Sequence, residues 1–331
     1  MRAECSRKIT FLNYVLSGLI VLLHSCDIIR TTEFSAVVEN GEIILICKML
    51  ERLGKVAVPT FFALSGYLFF RDCNYQNIRR KITSRMKSLV IPFCFWNIFF
   101  YCVYIALNNV PGIGSRINFE IPRFWVKAFI INNVVNPPMW FLSRLIVLHI
   151  SALIGLFLFK KIRSYNLSWI IALMTVDLII GFGYQSPLHW GGVYYLGGYM
   201  AYFYSDVVEN KGVFGRIPTV IRGILLGGLA IATLFLWEWI FAPLLVWLVM
   251  DMLKDFSVKP IMKASFFIMC THYFGVRVVR KVLTILLGIS PQVMLLNLLL
   301  TAAVVFLLAS IVDMLFRKWM PNLHTLVCGG R

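Results

Sequence analysis

The sequence predicts an all-α fold, a polytopic membrane bundle of about ten helices with both termini cytoplasmic. Three observations carry this. Apolar residues make up 60% of the 331 positions and charged residues only 14%, against roughly half and a quarter in soluble domains. Apolar runs approaching the roughly 20 residues needed to cross a bilayer recur along the whole length. The 32 Lys and Arg against 15 Asp and Glu, a formal charge of +17, fall mostly in short stretches between alternate runs, as cytoplasmic loops require. Such hydrophobicity excludes disorder. Anionic lipid head groups account for the basic excess without a nucleic-acid partner.

The runs follow in order. Residues 10–29 are long enough to span, and no small-residue cleavage site follows, so they read as a retained helix. The second run, 56–71, is short and reads as tilted or partly re-entrant, as does the sixth, 191–205. The third, 88–108, follows the densest basic stretch, and the fourth, 139–159, ends at Lys160 and Lys161. Runs 167–184, 220–236, 239–252, 264–284 and 293–316 complete the ten. The longest connections, about 30–55 and 109–138, are expected outside, the latter carrying an interfacial helix over 121–136 interrupted by Arg123 and Lys127. This layout puts roughly two Lys or Arg inside for each one outside, and an odd number of spans would scramble that bias. No repeat, low-complexity tract or long linker divides the chain, so 1–331 reads as one domain. The eight cysteines show neither a C-x-x-C pair nor metal-ligand spacing, which predicts no disulfide framework and no metal site.

Ionisable groups inside spans are costly and mark function by default. His24 lies toward the outer end of the first span. Asp27 follows at i+3 on the same face, where it would hold one ring nitrogen and fix the tautomer. Asn13 and Ser17 extend a polar stripe along that face; the stripe serves equally as an interhelical hydrogen-bond seam. His272 lies within the ninth span and fits either a cavity or a bond to a neighbouring carbonyl; His149 lies mid-span in the fourth, five residues after Arg144. Arg144 is permanently charged and needs a carboxylate (Asp177, Glu238 or Asp313), a backbone carbonyl or an anionic ligand. His189 and His324 read as loop residues without a role. The basic run holding Arg79, Arg80 and Arg85 serves positive-inside signalling or cradles a cytosolic phosphate.

Val58-Pro-Thr-Phe-Phe-Ala-Leu-Ser-Gly-Tyr67 resembles the V-P-x-F-F-x-L-S-G-F/Y signature of the membrane acyltransferase-3 family. Ile91-Pro-Phe-Cys-Phe-Trp96, Pro138-Met-Trp-Phe-Leu142, Tyr195-Leu-Gly-Gly-Tyr199 and Ser265-Phe-Phe-Ile-Met-Cys-Thr-His272 are similar to further family segments, in the family's order. His24 matches its first-span histidine. Two positions differ: Asn13 stands where the family carries Arg, and Ser88 replaces the second Arg of a cytoplasmic R-x-x-R. The resemblance implies a multi-pass enzyme of the bacterial cytoplasmic membrane that acylates surface glycans. Its co-substrate would be acyl-CoA, acetyl-CoA in the simplest case, with no permanently bound cofactor, and its acceptor a glycan or lipid-linked sugar.

On that reading His24 is the general base, oriented by Asp27, with His272 lining the same cavity. Arg79, Arg80 and Arg85 grip the diphosphate of the donor. Ser65 and Gly66 kink the second span to let the donor arm through, Trp140 stacks on the sugar, Arg144 binds substrate, and Arg30 or Arg144 supplies the missing charge. Two other classes fit the composition: a transporter or flippase of a glycan or acyl intermediate, and a catalytically degenerate homologue that binds acyl-CoA or glycan.

Overall fold

The computed structural model describes residues 1–29, 41–108, 135–161, 166–210, 216–233, 238–252 and 257–330. Every regular element among them is helical. The helices are α1 (Ala3–Ile29), α2 (Gly41–Lys55), α3 (Ala57–Phe70), α4 (Ile78–Asn108), α5 (Trp140–Lys161) and α6 (Asn166–Ile180). They continue with α7 (Pro187–Val208), α8 (Thr219–Ile231), α9 (Glu238–Met252), α10 (Ser265–Leu287), α11 (Pro291–Trp319) and α12 (Pro321–Val327). Short 3₁₀ turns at Pro137–Met139 and Pro260–Lys263 lead into α5 and α10.

A helix stands at each of the ten apolar runs read from the sequence. Among the described residues, five segments are long and apolar enough to cross a membrane: Ala3–Cys26, Gly41–Phe70, Ile78–Leu107, Pro137–Lys161 and Gln292–Trp319. The others are shorter or more polar; α10, for instance, carries Arg277, Arg280 and Lys281. The faces turned away from the bundle are greasy. Ile150 and Ile154 on α5 are 57% and 63% exposed, and Val220 and Ile224 on α8 are 74% and 69% exposed. Water would penalise such faces, whereas lipid tails solvate them.

Residues 41–55 correct the sequence reading, which placed them in an outer connection. They form α2, with Glu42, Lys48, Glu51, Arg52 and Lys55 interleaved among apolar residues. Those charges dilute the mean hydropathy and hid the helix, while its apolar side packs on α1: Gly54 is pressed against Leu19 and Leu23. Cys26 and Leu22 meet Ile43, Cys47 and Leu50 in the same cluster, so α1 and the Gly41–Phe70 segment run antiparallel. The expected interfacial helix at 121–136 falls almost wholly outside the described residues.

Small residues set the closest helix crossing. A Cβ on Gly66 would come within 1.9 Å of the Tyr194 carbonyl oxygen, and one on Gly197 within 2.0 Å of the Ala63 carbonyl oxygen. α3 and α7 therefore meet backbone to backbone, as small residues permit in membranes. Gly66 does not kink α3, which runs unbroken from Ala57 to Phe70; its missing side chain is used for packing.

Buried polar ties fasten the start of α1 to the C-terminal ends of its neighbours. Lys8 on α1 pairs with Asp251 on α9 and lies 3.7 Å from the centre of the Trp247 ring. Glu209, just after α7, accepts from Arg71 Nε at 2.6 Å, from the Tyr67 hydroxyl at 3.1 Å and from the Arg2 backbone N–H at 2.8 Å. At the other chain end, Asp313 on α11 pairs with Arg317 and His324, and Trp96 Nε1 donates to the Val327 carbonyl at 2.9 Å, docking α12 under α4. His324 and His189, expected to be idle loop residues, thus each share a hydrogen bond with a carboxylate, His189 with Asp177 at 2.8 Å and His324 with Asp313 at 2.8 Å.

Burial raises the Glu209 carboxyl, but its hydrogen bonds from Arg71, Arg2 and Tyr67 reverse this and hold it down at about 2. A depressed carboxyl contributes stability that is complete above its unfolded value, about 4.3, and is lost as pH falls through the folded value. Thermal unfolding followed from pH 6 to pH 2 should show a midpoint that falls steeply below about pH 4.5. The Glu209→Gln protein should start lower and lose less over the same range.

Candidate functional site

A cavity of about 670 Å³ runs through the bundle between α1, the α2–α3 segment, α5 and α10. Each helix gives it one face at helical spacing: Ile9, Asn13, Ile20 and His24 from α1; Val58, Phe61, Ser65 and Leu68 from α3; Trp140, Leu145 and His149 from α5; Ser265, Met269 and His272 from α10. The lining extends from Met1, Ser6 and Lys263 near the start of α1 to Glu51, Lys55 and Tyr184 near its far end. The volume sits within the roughly 300–1,000 Å³ typical of ligand sites, and the lining is mainly apolar with a few polar groups, as such sites are.

Those polar groups gather at two depths. Toward the far end of α1, the His24 and His272 rings lie 5.2 Å apart, centre to centre, with Tyr273 edge-on to His24 at 5.4 Å. His272 is completely buried. Its Nδ1–H donates to the Ile268 carbonyl at 2.8 Å, and since a carbonyl can only accept, the Nε2 atom carries the lone pair. That Nε2 has no hydrogen-bond partner among the described residues. A backbone carbonyl thus fixes the tautomer of His272, the task the sequence reading gave Asp27 for His24. The Asp27 side chain and Arg30 lie outside the described residues.

At the second depth, Ser65, His149 and Arg85 line the cavity together. His149 is buried, its Nδ1–H donating to the Leu145 carbonyl at 2.7 Å, and its ring meets Phe69 edge-on at 4.8 Å. Gly54 packs at the level of Leu23, and Ser65 lies eleven residues further along the Gly41–Phe70 segment. At 1.5 Å per residue the two polar levels are roughly 16 Å apart.

At the far rim Trp140 stands against Tyr184 (4.9 Å) and Trp190 (6.0 Å), while Phe62 stacks on Trp190 at 4.9 Å. Trp190 Nε1 donates to the Tyr184 carbonyl at 2.7 Å, holding the rim together. A Glu51–Lys55 ion pair at 3.3 Å lies beside it.

The structure thus brings His24, His272, Ser65, Arg85 and Trp140 to one cavity and leaves other expected residues outside it. Arg79 and Arg80 are exposed and absent from the lining, because they lie off the face of α4 that buries Ile78 in the core. Gly66 faces α7. Arg144, expected to contact substrate, donates instead to the Gln185 backbone carbonyl and the Ser143 hydroxyl, while Asp177 and Asp313 take histidine or arginine partners of their own. Ser17 fits the seam reading of its stripe, donating to the Asn13 carbonyl at 2.8 Å and the Ser265 carbonyl at 3.3 Å. Tyr184 and Lys263 escaped the sequence reading, since single residues in turns carry no periodic signal.

A greasy helical bundle with an internal cavity, lined by cations, two imidazoles and aromatic rings, defines a multi-pass membrane protein. The chain belongs to the acyltransferase-3 family, whose profile, described as an acyltransferase domain, matches residues 9–314. It is also 33% identical over 107 residues to a succinoglycan biosynthesis protein, ExoH, of Rhizobium meliloti (strain 1021), a match covering 29% of this chain and 28% of that protein. No solved structure matches the chain.

Proposed function

We propose that this membrane acyltransferase moves an acyl group, acetyl in the simplest case, from cytosolic acyl-CoA to a hydroxyl of a cell-surface glycan or its lipid-linked precursor. The observation carrying this is the single cavity that both Arg85 and the His24–His272 pair line. The charge asymmetry of the loops supports ten spans in a bacterial cytoplasmic membrane with both termini inside, so that Arg85 faces the cytosolic half and His24 the outer half. The roughly 16 Å between the two polar levels suits the extended pantetheine arm of coenzyme A, with its diphosphate near Arg85 and its thioester near the imidazoles. The aromatic rim around Trp140 offers flat apolar faces to a sugar ring. The name of the Rhizobium relative, a polysaccharide biosynthesis protein, supports a carbohydrate acceptor.

In this reading His24 accepts the proton of the acceptor hydroxyl as its oxygen attacks the thioester carbonyl carbon. The tetrahedral adduct collapses with cleavage of the carbon–sulfur bond, and the departing thiolate takes the proton back from His24, leaving an ester and free coenzyme A. His272 lies against His24 and presents its lone pair to the same space, fixing the position of the first ring and of the hydroxyl. Asn13 lines the cavity where the family carries arginine, and Arg85 and Lys263 are among its lining cations.

Purified protein incubated with radiolabelled acetyl-CoA and a candidate glycan should transfer label to the acceptor. His24→Ala should lower the rate at least about 100-fold, the usual scale of a lost general base, without altering expression or fold. Label that binds but never moves would identify a sensor, and unmodified glycan crossing a vesicle wall would identify a carrier; either outcome overturns the proposal. Because Arg85 alone of the basic run lines the cavity, Arg85→Ala should raise the KM for donor about tenfold or more, while Arg79→Ala and Arg80→Ala leave it unchanged.

A further inference from the structure

The C-terminal end of the chain holds a cluster that the proposed reaction does not use. Asp313 on α11, His324 on α12 and Cys328 just after it are all buried. One donor atom from each lies within 4.8 Å of the others. His324 and Cys328 stand four residues apart, on one face of a helical turn, and Asp313 meets them from the neighbouring helix. Both lie beyond residues 9–314, the stretch that the acyltransferase profile matches, so nothing in the family pattern accounts for them. The ligands come from two helices and are of three kinds, which is why cysteine spacing carried no metal signature.

Carboxylate, imidazole and thiolate are donors that bind zinc. Two of them already point at one another, since His324 Nε2 shares a hydrogen bond with Asp313 Oδ1 at 2.8 Å. Zinc bonds of about 2.0–2.3 Å at tetrahedral angles hold their donor atoms roughly 3.4–3.6 Å apart, so that contact needs to open by only about half an ångström. The flanking contacts suit a metal ligand set. Arg317 donates to Oδ2, the other oxygen of the same carboxylate, and Phe316 meets the His324 ring at 5.4 Å; outer contacts of this kind orient ligands. Carboxylate and thiolate together neutralise a dication, which lowers the cost of burying it.

We infer that Asp313, His324 and Cys328 bind a zinc ion through Oδ1, Nε2 and Sγ. Among the described residues no fourth Cys, His, Asp or Glu joins the three, so a water completes the tetrahedron. On binding, the thiol releases its proton to solvent, and the imidazole keeps its one proton on Nδ1, leaving Nε2 to the metal. The ion is structural. α12 has only seven residues, too few to hold a helix by themselves. Just beyond it, Gly329 has a left-handed φ of +68°, and a Cβ there would come within 2.2 Å of the Ser88 carbonyl oxygen. Ser88 in turn donates through its hydroxyl to the Arg85 carbonyl at 3.2 Å. Zinc taken up as α12 docks, before the site closes, fastens the C-terminal end onto the stretch of α4 that carries Arg85.

Metal content tests this in the full-length protein, expressed in zinc-supplemented culture and purified through a tag that contains no histidine. Mass spectrometry of the digested protein should find about one zinc per chain. Cys328→Ser removes one ligand at nearly constant volume, so its zinc content should fall at least about tenfold, whereas Cys102→Ser keeps it. Cobalt in place of zinc should show the visible bands of a tetrahedral ion and a sulfur-to-cobalt charge-transfer band, the latter absent from Cys328→Ser. Wild-type protein from zinc-depleted culture should melt several degrees below protein from supplemented culture, a difference that Cys328→Ser abolishes. Folded wild type that carries no zinc from supplemented culture overturns the assignment. So does zinc that Cys328→Ser retains in full, which marks an adventitious ion only. None of these readouts requires acyl transfer, so failure of the zinc site and failure of the proposed reaction are seen separately.

Discussion

The near-contact of the α3 and α7 backbones governs what the bundle presents to its interior. With Gly66 against the Tyr194 carbonyl and Gly197 against the Ala63 carbonyl, neither helix can slide or rotate without a collision of main-chain atoms. In lipid the hydrophobic effect gives no drive for such packing, so close van der Waals contact must supply it. Fixing that face of α3 fixes the opposite one, because Val58, Phe61, Ser65 and Leu68 follow at helical spacing and so share a stripe. The cavity wall is thus set by glycines that never touch the cavity.

The same constraint explains why α1 is fastened at several places along its length. Lys8 pairs with Asp251, the Arg2 backbone reaches Glu209, and Ser17 reaches the Ser265 carbonyl. Breaking a buried ion pair such as Lys8–Asp251 costs about 3–5 kcal/mol because the remaining charge is stranded; with the two hydrogen bonds it holds α1 against the ends of α7 and α9 and against α10. His24 then keeps one depth relative to His272, and the two rings remain 5.2 Å apart.

Much of this was legible in the sequence, and the exceptions share a cause. Apolar runs marked the places of ten helices, and among the described residues five segments have the length and apolarity that a bilayer imposes on whatever crosses it. α2 escaped because its charges lowered the average over just those residues whose other side packs on α1. His24 and His272 stood out as ionisable groups in apolar runs, and both line the cavity. Arg144 stood out by the same rule but binds a backbone carbonyl: the rule detects the need for a partner and is blind to which partner satisfies it. Gly66 was read as a kink because glycine loosens an isolated helix, whereas here a neighbouring backbone occupies the space its side chain would fill.

Separating a basic level from an imidazole level by roughly 16 Å along a helix has a chemical logic. A phosphate is stabilised by cations that also attract counterions and water, while a general base works best in a drier setting that leaves its lone pair uncommitted. One compact site would force those demands on the same residues. A long flexible arm lets them be met at different depths, and a mainly apolar passage between them admits the arm without offering hydrated ions a comparable path. In the proposed reaction the histidines then sit near the rim where the sugar would arrive, and the nucleotide end of the donor need never cross the bilayer.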